Sequence, residues 1–129
     1  MILGIGTDIL ENKRIRRMYK RFGRRFLKRI YTEEEILYAE SHEDPVPYLA
    51  ARFAVKEALI KALNLKGREV KLKLREVEVA GKVFGKKNLV LTGRAKELVD
   101  TMGANKYHLS LSHSRFFSMA VVILEKVDI

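Results

Sequence analysis

Apolar positions in this chain recur first with helical spacing and later with strand spacing. Residues Ile2 to Ile9 read as a short apolar strand, with Gly4 and Gly6 marking places where backbone or ligand approaches closely. Ile15, Met18, Phe22 and Phe26 then recur every three or four residues, predicting a helix with one packed and one basic face and a possible break at Gly23. Thr32 followed by Glu35 is a capping-box signature, so a further helix is expected through about Glu40. Asp44, Pro45 and Pro47 mark a loop and the start of a long helix that ends near Asn64 and Gly67. On that helix Leu49, Phe53, Ile60 and Leu63 form an apolar stripe with Ala50, Ala54 and Ala58 as small neighbours, and Glu57 and Lys61 fall on its edge.

The second half changes period. "VKLKL" (70–74) and "EVEVA" (76–80) alternate strictly, "NLVLT" (88–92) reads as a short strand, and "TGRAKELVDTMGA" reads as a capped helix. "KYHLSLSHS" also alternates, placing Tyr107, Leu109, Leu111 and His113 on one face and His108, Ser110, Ser112 and Ser114 on the other. "FFSMAVVIL" is continuously apolar and is expected as a buried strand, antiparallel to its predecessor across a turn at Ser114–Arg115. The sum is an α+β fold: helices mostly in the first half, and a largely antiparallel sheet from the second half plus the N-terminal strand.

At 129 residues and 47% hydrophobic composition, the chain is read as one domain, 1–129, large enough to bury a core without staples. Cysteine is absent, which excludes disulfide, zinc–thiolate and cysteine-nucleophile chemistry. No apolar run reaches the length of about 18 residues that marks a membrane span, and no basic region precedes "MILGIGTD", so a cytoplasmic location is expected. Gln and Trp are absent while Lys, Arg and Glu are abundant, a composition compatible with a thermophilic source.

Charge adds the strongest compositional signal. Lys and Arg number 26 against 16 Asp and Glu, a net +10. Lys13, Arg14, Arg16, Arg17, Lys20, Arg21, Arg24, Arg25, Lys28 and Arg29 crowd one acid-free stretch and match that whole excess. Such a concentrated field favours an anionic partner and fast, salt-sensitive association. Nucleic acid and an acidic protein both satisfy it, and a non-catalytic nucleic-acid-binding module is the alternative to an enzyme.

Three constellations carry candidate chemistry. Asp8 and Glu57 offer hard oxygen ligands from a strand end and a helix, and magnesium takes one or two carboxylates together with phosphate oxygens and water. With Lys61 they make a minimal kit for gripping a diphosphate. The competing structural readings are that Asp8 caps the next helix, and that Glu57 and Lys61 are an ordinary i,i+4 pair worth ~0.3–0.5 kcal/mol. "HLSLSHS" lacks a nucleophile elbow, which favours a plain sheet face over a hydrolase triad, with phosphate binding by His113 and Ser114 in between. The basic helix is the third.

Taken in order, "GIGTDI", "RFAVKEALIKAL" and "HLSLSHS" resemble the holo-[acyl-carrier-protein] synthases, a family of 4′-phosphopantetheinyl transferases, and the likeness covers essentially the whole chain. The resemblance implies transfer of 4′-phosphopantetheine from coenzyme A to a serine of apo acyl carrier protein, with magnesium and release of adenosine 3′,5′-bisphosphate. It implies Asp8 and Glu57 as magnesium ligands and Lys61 as a phosphate-facing lysine. Arg52, His113 and Ser114 match positions associated with the 3′-phosphate of the nucleotide, and Gly85 and Lys86 match a nucleotide-contacting turn in which Lys87 replaces the family's proline. It further implies a homotrimer with sites between subunits, carrier-protein docking at Arg14 and Arg21, and neither a membrane nor a nucleic-acid partner. In that setting the nucleophile belongs to the carrier protein, so the missing serine elbow is expected.

Overall fold

Ten residues of extended chain, Ile2–Glu11, form strand β1, and the basic segment that follows is helical in two pieces, α1 (Asn12–Phe22) and α2 (Arg24–Ile30). Gly23 separates them with φ 55°, a backbone conformation that side chains resist. The computed structural model describes residues 1–65, 71–81 and 85–128. Helix α3 (Glu33–Glu40) opens with a complete capping box, Thr32 accepting from the Glu35 amide while Glu35 accepts from the Thr32 amide. Helix α4 (Val46–Ala62) begins with proline in its first turn and ends at Leu63 and Asn64, the latter at φ 52°. Gly67, expected near this end, lies outside the described residues.

The second half supplies β2 (Val77–Ala80), β3 (Asn88–Leu91), α5 (Gly93–Met102), β4 (Lys106–His113) and β5 (Phe117–Glu125). The strands make two antiparallel sheets, one of three strands in the order β1-β5-β4 and a β2–β3 hairpin, so the α+β expectation holds. One local expectation fails: residues 71–73 of "VKLKL" are irregular, and Leu74–Glu76 form a short 3-10 turn. Alternation there marks a Lys-rich connection whose carbonyl groups are recruited by a buried cation, described below. The cap of α5 also differs, since Thr92 makes no side-chain bond and the Arg94 amide is taken instead by the Glu76 carboxylate at 3.0 Å.

Strand parity decides what faces the core. Gly4, Gly6, Asp8 and Leu10 of β1 share the face of β5 that buries Ser118, Ala120, Val122 and Leu124, and α4 covers that face. Tyr107, Leu109, Leu111 and His113 extend it across β4, as their alternation predicted. The apolar run of β5 is therefore buried on one side only. Its other face shows Phe117 and Met119, 48% and 45% exposed, beside Ile5 and Ile9 of β1 at 58% and 65%.

Both β1 glycines meet the backbone of α4. A Cβ on Gly6 would overlap the carbonyl oxygen of Ala58 and lie 2.7 Å from the Ala62 amide nitrogen; one on Gly4 would overlap the Ala62 carbonyl oxygen. Close approach is thus to a helix of the chain itself. On its far side α4 is anchored by Lys56, fully buried, whose ammonium donates to Glu35 Oε1 at 2.8 Å and to the carbonyls of Leu74 at 3.0 Å and Val77 at 2.5 Å. Glu35 Oε2 accepts from the Val79 amide at 3.0 Å, so one ion pair joins α3, α4 and β2. Burial holds the Lys56 pKa below its ordinary value, and the Glu35 charge works against that shift.

Replacing Gly6 by alanine is expected to destabilise the protein by about 3 kcal/mol, the upper end for overpacking, because the obstacle is helix backbone. Urea unfolding of Gly6→Ala against the parent checks it; an unchanged midpoint would refute the packing account.

Candidate active site

Asp8 follows Gly6 by two residues on the same strand face, so the approach of α4 brings its carboxylate under the helix. Lys61 Nζ lies 3.0 Å from Asp8 Oδ1, with the Asp8 side chain mostly covered and the lysine half exposed. Lys61 therefore pairs across elements with Asp8, not one turn back with Glu57. Asp8 does not cap the next helix: α1 begins at Asn12, and its flanking residue is Glu11.

Glu57 is half-buried beside the same cluster. Burial raises its carboxyl pKa, the Asp8 charge raises it further, and Arg14 and Lys61 pull it back. Arg14 also stands over the Phe53 ring, 5.7 Å from its centre. Two carboxylates and two cations thus converge where β1, α1 and α4 meet. The described residues hold no group of three or more metal-ligating side chains, which leaves Asp8 and Glu57 as a two-carboxylate set. Such a set matches magnesium, which fills its remaining positions with water and phosphate oxygens. Mutual repulsion between half-buried carboxylates is what a divalent cation would relieve.

A second cluster lies on another face of α4. Arg52 precedes Glu57 by five residues, about 140° around the helix at 3.6 residues per turn. Arg52 is 2% exposed, and its guanidinium carbon sits 4.1 Å from the centre of the Tyr38 ring. Arg52 donates weakly to the Tyr48 carbonyl at 3.5 Å, and its buried Nε has no acceptor among the described residues. Burial lowers its pKa, and the neighbouring Tyr38 and Glu35 act in the opposite sense. His42 stacks on Tyr48 at 3.6 Å, and Tyr48 meets the edge of His113 at 5.1 Å. Lys87 stands over the same Tyr38 ring at 5.0 Å. Lys86 is exposed and lines, with Asn88 and Tyr107, an open groove of about 390 Å³ between β3 and β4; Gly85 is exposed in the turn before it. Ser114 is exposed in the β4–β5 turn, its amide donating to the Phe117 carbonyl at 2.8 Å.

The chain thus unites Asp8, Glu57, Lys61 and Arg14, and separately gathers Arg52, Lys87 and His113 around Tyr38 and Tyr48. No hydrogen bond or ion pair joins the two groups among the described residues. Arg21 is exposed on α1 over its neighbour Phe22, at 5.2 Å. Other basic residues of the run are neutralised locally, Arg16 by Asp44 at 2.7 Å and Arg24 by Glu40 at 3.0 Å.

A family model for the 4′-phosphopantetheinyl transferase superfamily matches residues 4–115, a span that includes every residue of both clusters. The chain belongs to that superfamily. A curated relative from Leptospira biflexa, named holo-[acyl-carrier-protein] synthase, is 47% identical over 125 residues, covering 97% of this chain and 98% of its own. The crystal structure of the synthase of that name from Neisseria meningitidis shares 38% identity with a TM-score of 0.83, over 98% of this chain and 100% of that one. The synthase from Bacillus anthracis, solved in complex with CoA (3′,5′-ADP), shares 34% identity with a TM-score of 0.78, over 98% and 99%. The family match runs from β1 to the β4–β5 turn, and these relatives extend the likeness over nearly the whole chain.

Sequence reasoning passed over three features of this superfamily member's site. Lys56 sits at the centre of the stripe formed by Leu49, Phe53, Ile60 and Leu63, so helical phase alone pointed it inward. The Tyr38–His42–Tyr48 group left no periodic signal, because it joins α3 to α4 across a loop. Asn12, buried at the first turn of α1, looked like one more polar residue before a basic run.

Replacing Asp8 by asparagine is expected to lower the Glu57 carboxyl pKa, since one of its two raising influences disappears. The value stays above that of an exposed glutamate, because burial is the larger cause. Carboxyl NMR titration of metal-free protein reads this directly, and an unmoved Glu57 would separate the two carboxylates.

Proposed function

We propose that this chain transfers the 4′-phosphopantetheine group of coenzyme A to a serine of apo acyl carrier protein, releasing adenosine 3′,5′-bisphosphate. The observation that carries the reading is the meeting of Asp8, Glu57 and Lys61 at one exposed edge, in a chain of this superfamily. The bond broken is a phosphoanhydride P–O bond of the diphosphate, and the bond formed joins the serine oxygen to the phosphopantetheine phosphorus. Such a displacement needs positioning and charge neutralisation more than covalent help from the enzyme.

Asp8 and Glu57 would hold magnesium, which supplies charge neutralisation at the diphosphate when bound. Lys61 lies with its stem along α4 and its ammonium at Asp8, within reach of a phosphate held there. The nucleotide end is assigned to Arg52, Gly85, Lys86, His113 and Ser114, with the 3′-phosphate at Arg52, His113 and Ser114. The unsatisfied Nε of Arg52 supports an anion nearby. Arg14 and Arg21 are assigned to carrier-protein docking, where exposed cations on a basic helix meet an acidic helix.

The two clusters face different sides of α4, which supports sites completed by a second copy of the chain. The apolar sheet face of Ile5, Ile9, Phe117 and Met119 is the surface on which copies would pack into a homotrimer. We place the enzyme in the cytoplasm as one domain over 1–129, with no nucleic-acid partner. Among the described residues no helix is long and apolar enough to cross a membrane.

Intact-mass measurement of apo acyl carrier protein incubated with this chain, coenzyme A and magnesium is the direct test. The carrier is expected to gain the phosphopantetheine mass, and to fail to gain it with chelator or with Asp8→Ala or Glu57→Ala. No gain with the parent protein would overturn the reaction, and full turnover by either variant would overturn the metal assignment. Reversing both Arg14 and Arg21 to Glu is expected to raise KM for the carrier at least about tenfold while leaving KM for coenzyme A nearly unchanged, as loss of docking charge requires. An equal rise in both would reject the docking role.

A further inference from the structure

The β4–β5 turn carries His113 and Ser114, and its carbonyl groups point back into the molecule toward a single residue. Asn12 Nδ2 donates to the Ser114 carbonyl at 3.0 Å and to the Arg115 carbonyl at 3.3 Å, and the Asn12 amide donates to the Phe116 carbonyl at 2.8 Å. Its Oδ1 accepts from the Ser118 hydroxyl at 2.6 Å. Asn12 is 3% exposed and Ser118 1%. Three consecutive turn carbonyls are thus satisfied by one residue, and both protons of its carboxamide are used. The orientation of the amide is forced, because carbonyl oxygens only accept and a hydroxyl can donate to Oδ1.

Among the described residues no other hydrogen bond or ion pair ties the tip of the turn to the body of the protein. Apart from the carbonyl held by Asn12, Ser114 bonds within the turn, to Phe117, and Arg115 lies over the neighbouring Phe116 ring at 5.3 Å. A two-stranded connection of this kind keeps its register by its own ladder, but the ladder leaves its tip free to tilt. Asn12 removes that freedom. It does so from the first turn of α1, the helix that carries the basic run.

We propose that Asn12 is a positioning residue: its carboxamide fixes the His113–Ser114 turn in the posture that receives the 3′-phosphate of coenzyme A. The inference rests on the nucleotide assignment made above for that turn. Asn12 itself touches no substrate; it acts through the backbone of Ser114, Arg115 and Phe116. Aspartate at this position would set carboxylate oxygens against two carbonyl oxygens with no proton to offer, so an isosteric change is as damaging as truncation.

The test compares coenzyme A with 3′-dephospho-coenzyme A as donors, using the full-length protein and apo acyl carrier protein. Asn12→Asp and Asn12→Ala are expected to reduce the preference for the 3′-phosphorylated donor about tenfold, the scale of one lost hydrogen bond. The change lies in KM for coenzyme A, with kcat and KM for the dephospho donor nearly unchanged. Ser118→Ala, which removes only the hydroxyl that seats the carboxamide, is expected to shift the preference in the same direction by less, and keeps the test alive should the Asn12 variants not fold. His113→Ala and Ser114→Ala report separately on the nucleotide assignment. Loss of preference in those two, with the parent preference retained in the Asn12 and Ser118 variants, would overturn the positioning role alone. Equal rises in both KM values for the Asn12 variants would mean a general scaffold effect and would also overturn it. Unchanged preference in all of the variants would remove the nucleotide assignment and this inference together.

Discussion

Backbone-to-backbone contact between β1 and α4 governs the geometry of this protein. With side chains at positions 4 and 6 the central helix would stand away from the strand, because both added carbons would overlap its carbonyl oxygens. Glycine permits a separation set by main-chain atoms. The consequence is chemical as well as mechanical. Asp8 continues the same strand face, so the distance that the glycines set for Ala58 and Ala62 also sets how near Glu57 and Lys61 come to Asp8. A wider gap would leave two acids and a lysine solvated separately, with Glu57 nearer its ordinary pKa.

Close approach on one side needs a counterpart on the other, and the Lys56–Glu35 pair provides it. A wholly buried ammonium carries a desolvation penalty that only a full set of partners offsets. Here Glu35 and two carbonyls surround it, and Glu35 is itself committed to the α3 cap and the Val79 amide. The pair is weak evidence for added stability, since apolar replacements of such pairs are often as stable. Its specific effect is rotational: Lys56 pointing at α3 and β2 holds Glu57, the next residue, toward β1 and α1. Helix phase and site chemistry are therefore linked through adjacent residues.

Charge is distributed with the same economy. Part of the basic run is committed locally, Lys13 to Glu11, Arg16 to Asp44 and Arg24 to Glu40, while Arg14 leans over Phe53 into the field of Glu57. Arg14 thus stands at the border between the basic helix and the carboxylate pair. Under the proposed docking role, a carrier protein drawn to that helix would arrive beside the carboxylate pair. On another side of α4, Arg52 is sealed under Tyr38, and its Nε finds no hydrogen-bond acceptor among the described residues.

Much of this was legible in the linear chain. Helical phase placed α1, α2 and α4, the capping signature at Thr32 and Glu35 placed α3 and is formed in full, and strand alternation put His113 on the same face of β4 as Tyr107, Leu109 and Leu111. The charge run, the glycine pair ahead of Asp8 and the absence of a nucleophile elbow were equally readable, because each depends on residues near one another in sequence. Alternation misled at residues 71–74, where contacts with Lys56 override local pattern, and the apolar run of β5 concealed a half-exposed strand. Only tertiary structure decided that Lys61 answers Asp8 and not Glu57, that Lys56 is buried on Glu35, and that Asn12 holds the turn of Ser114. Those pairings span 53, 21 and 102 residues, and no short-range periodicity encodes which distant partner a polar side chain meets when burial demands one.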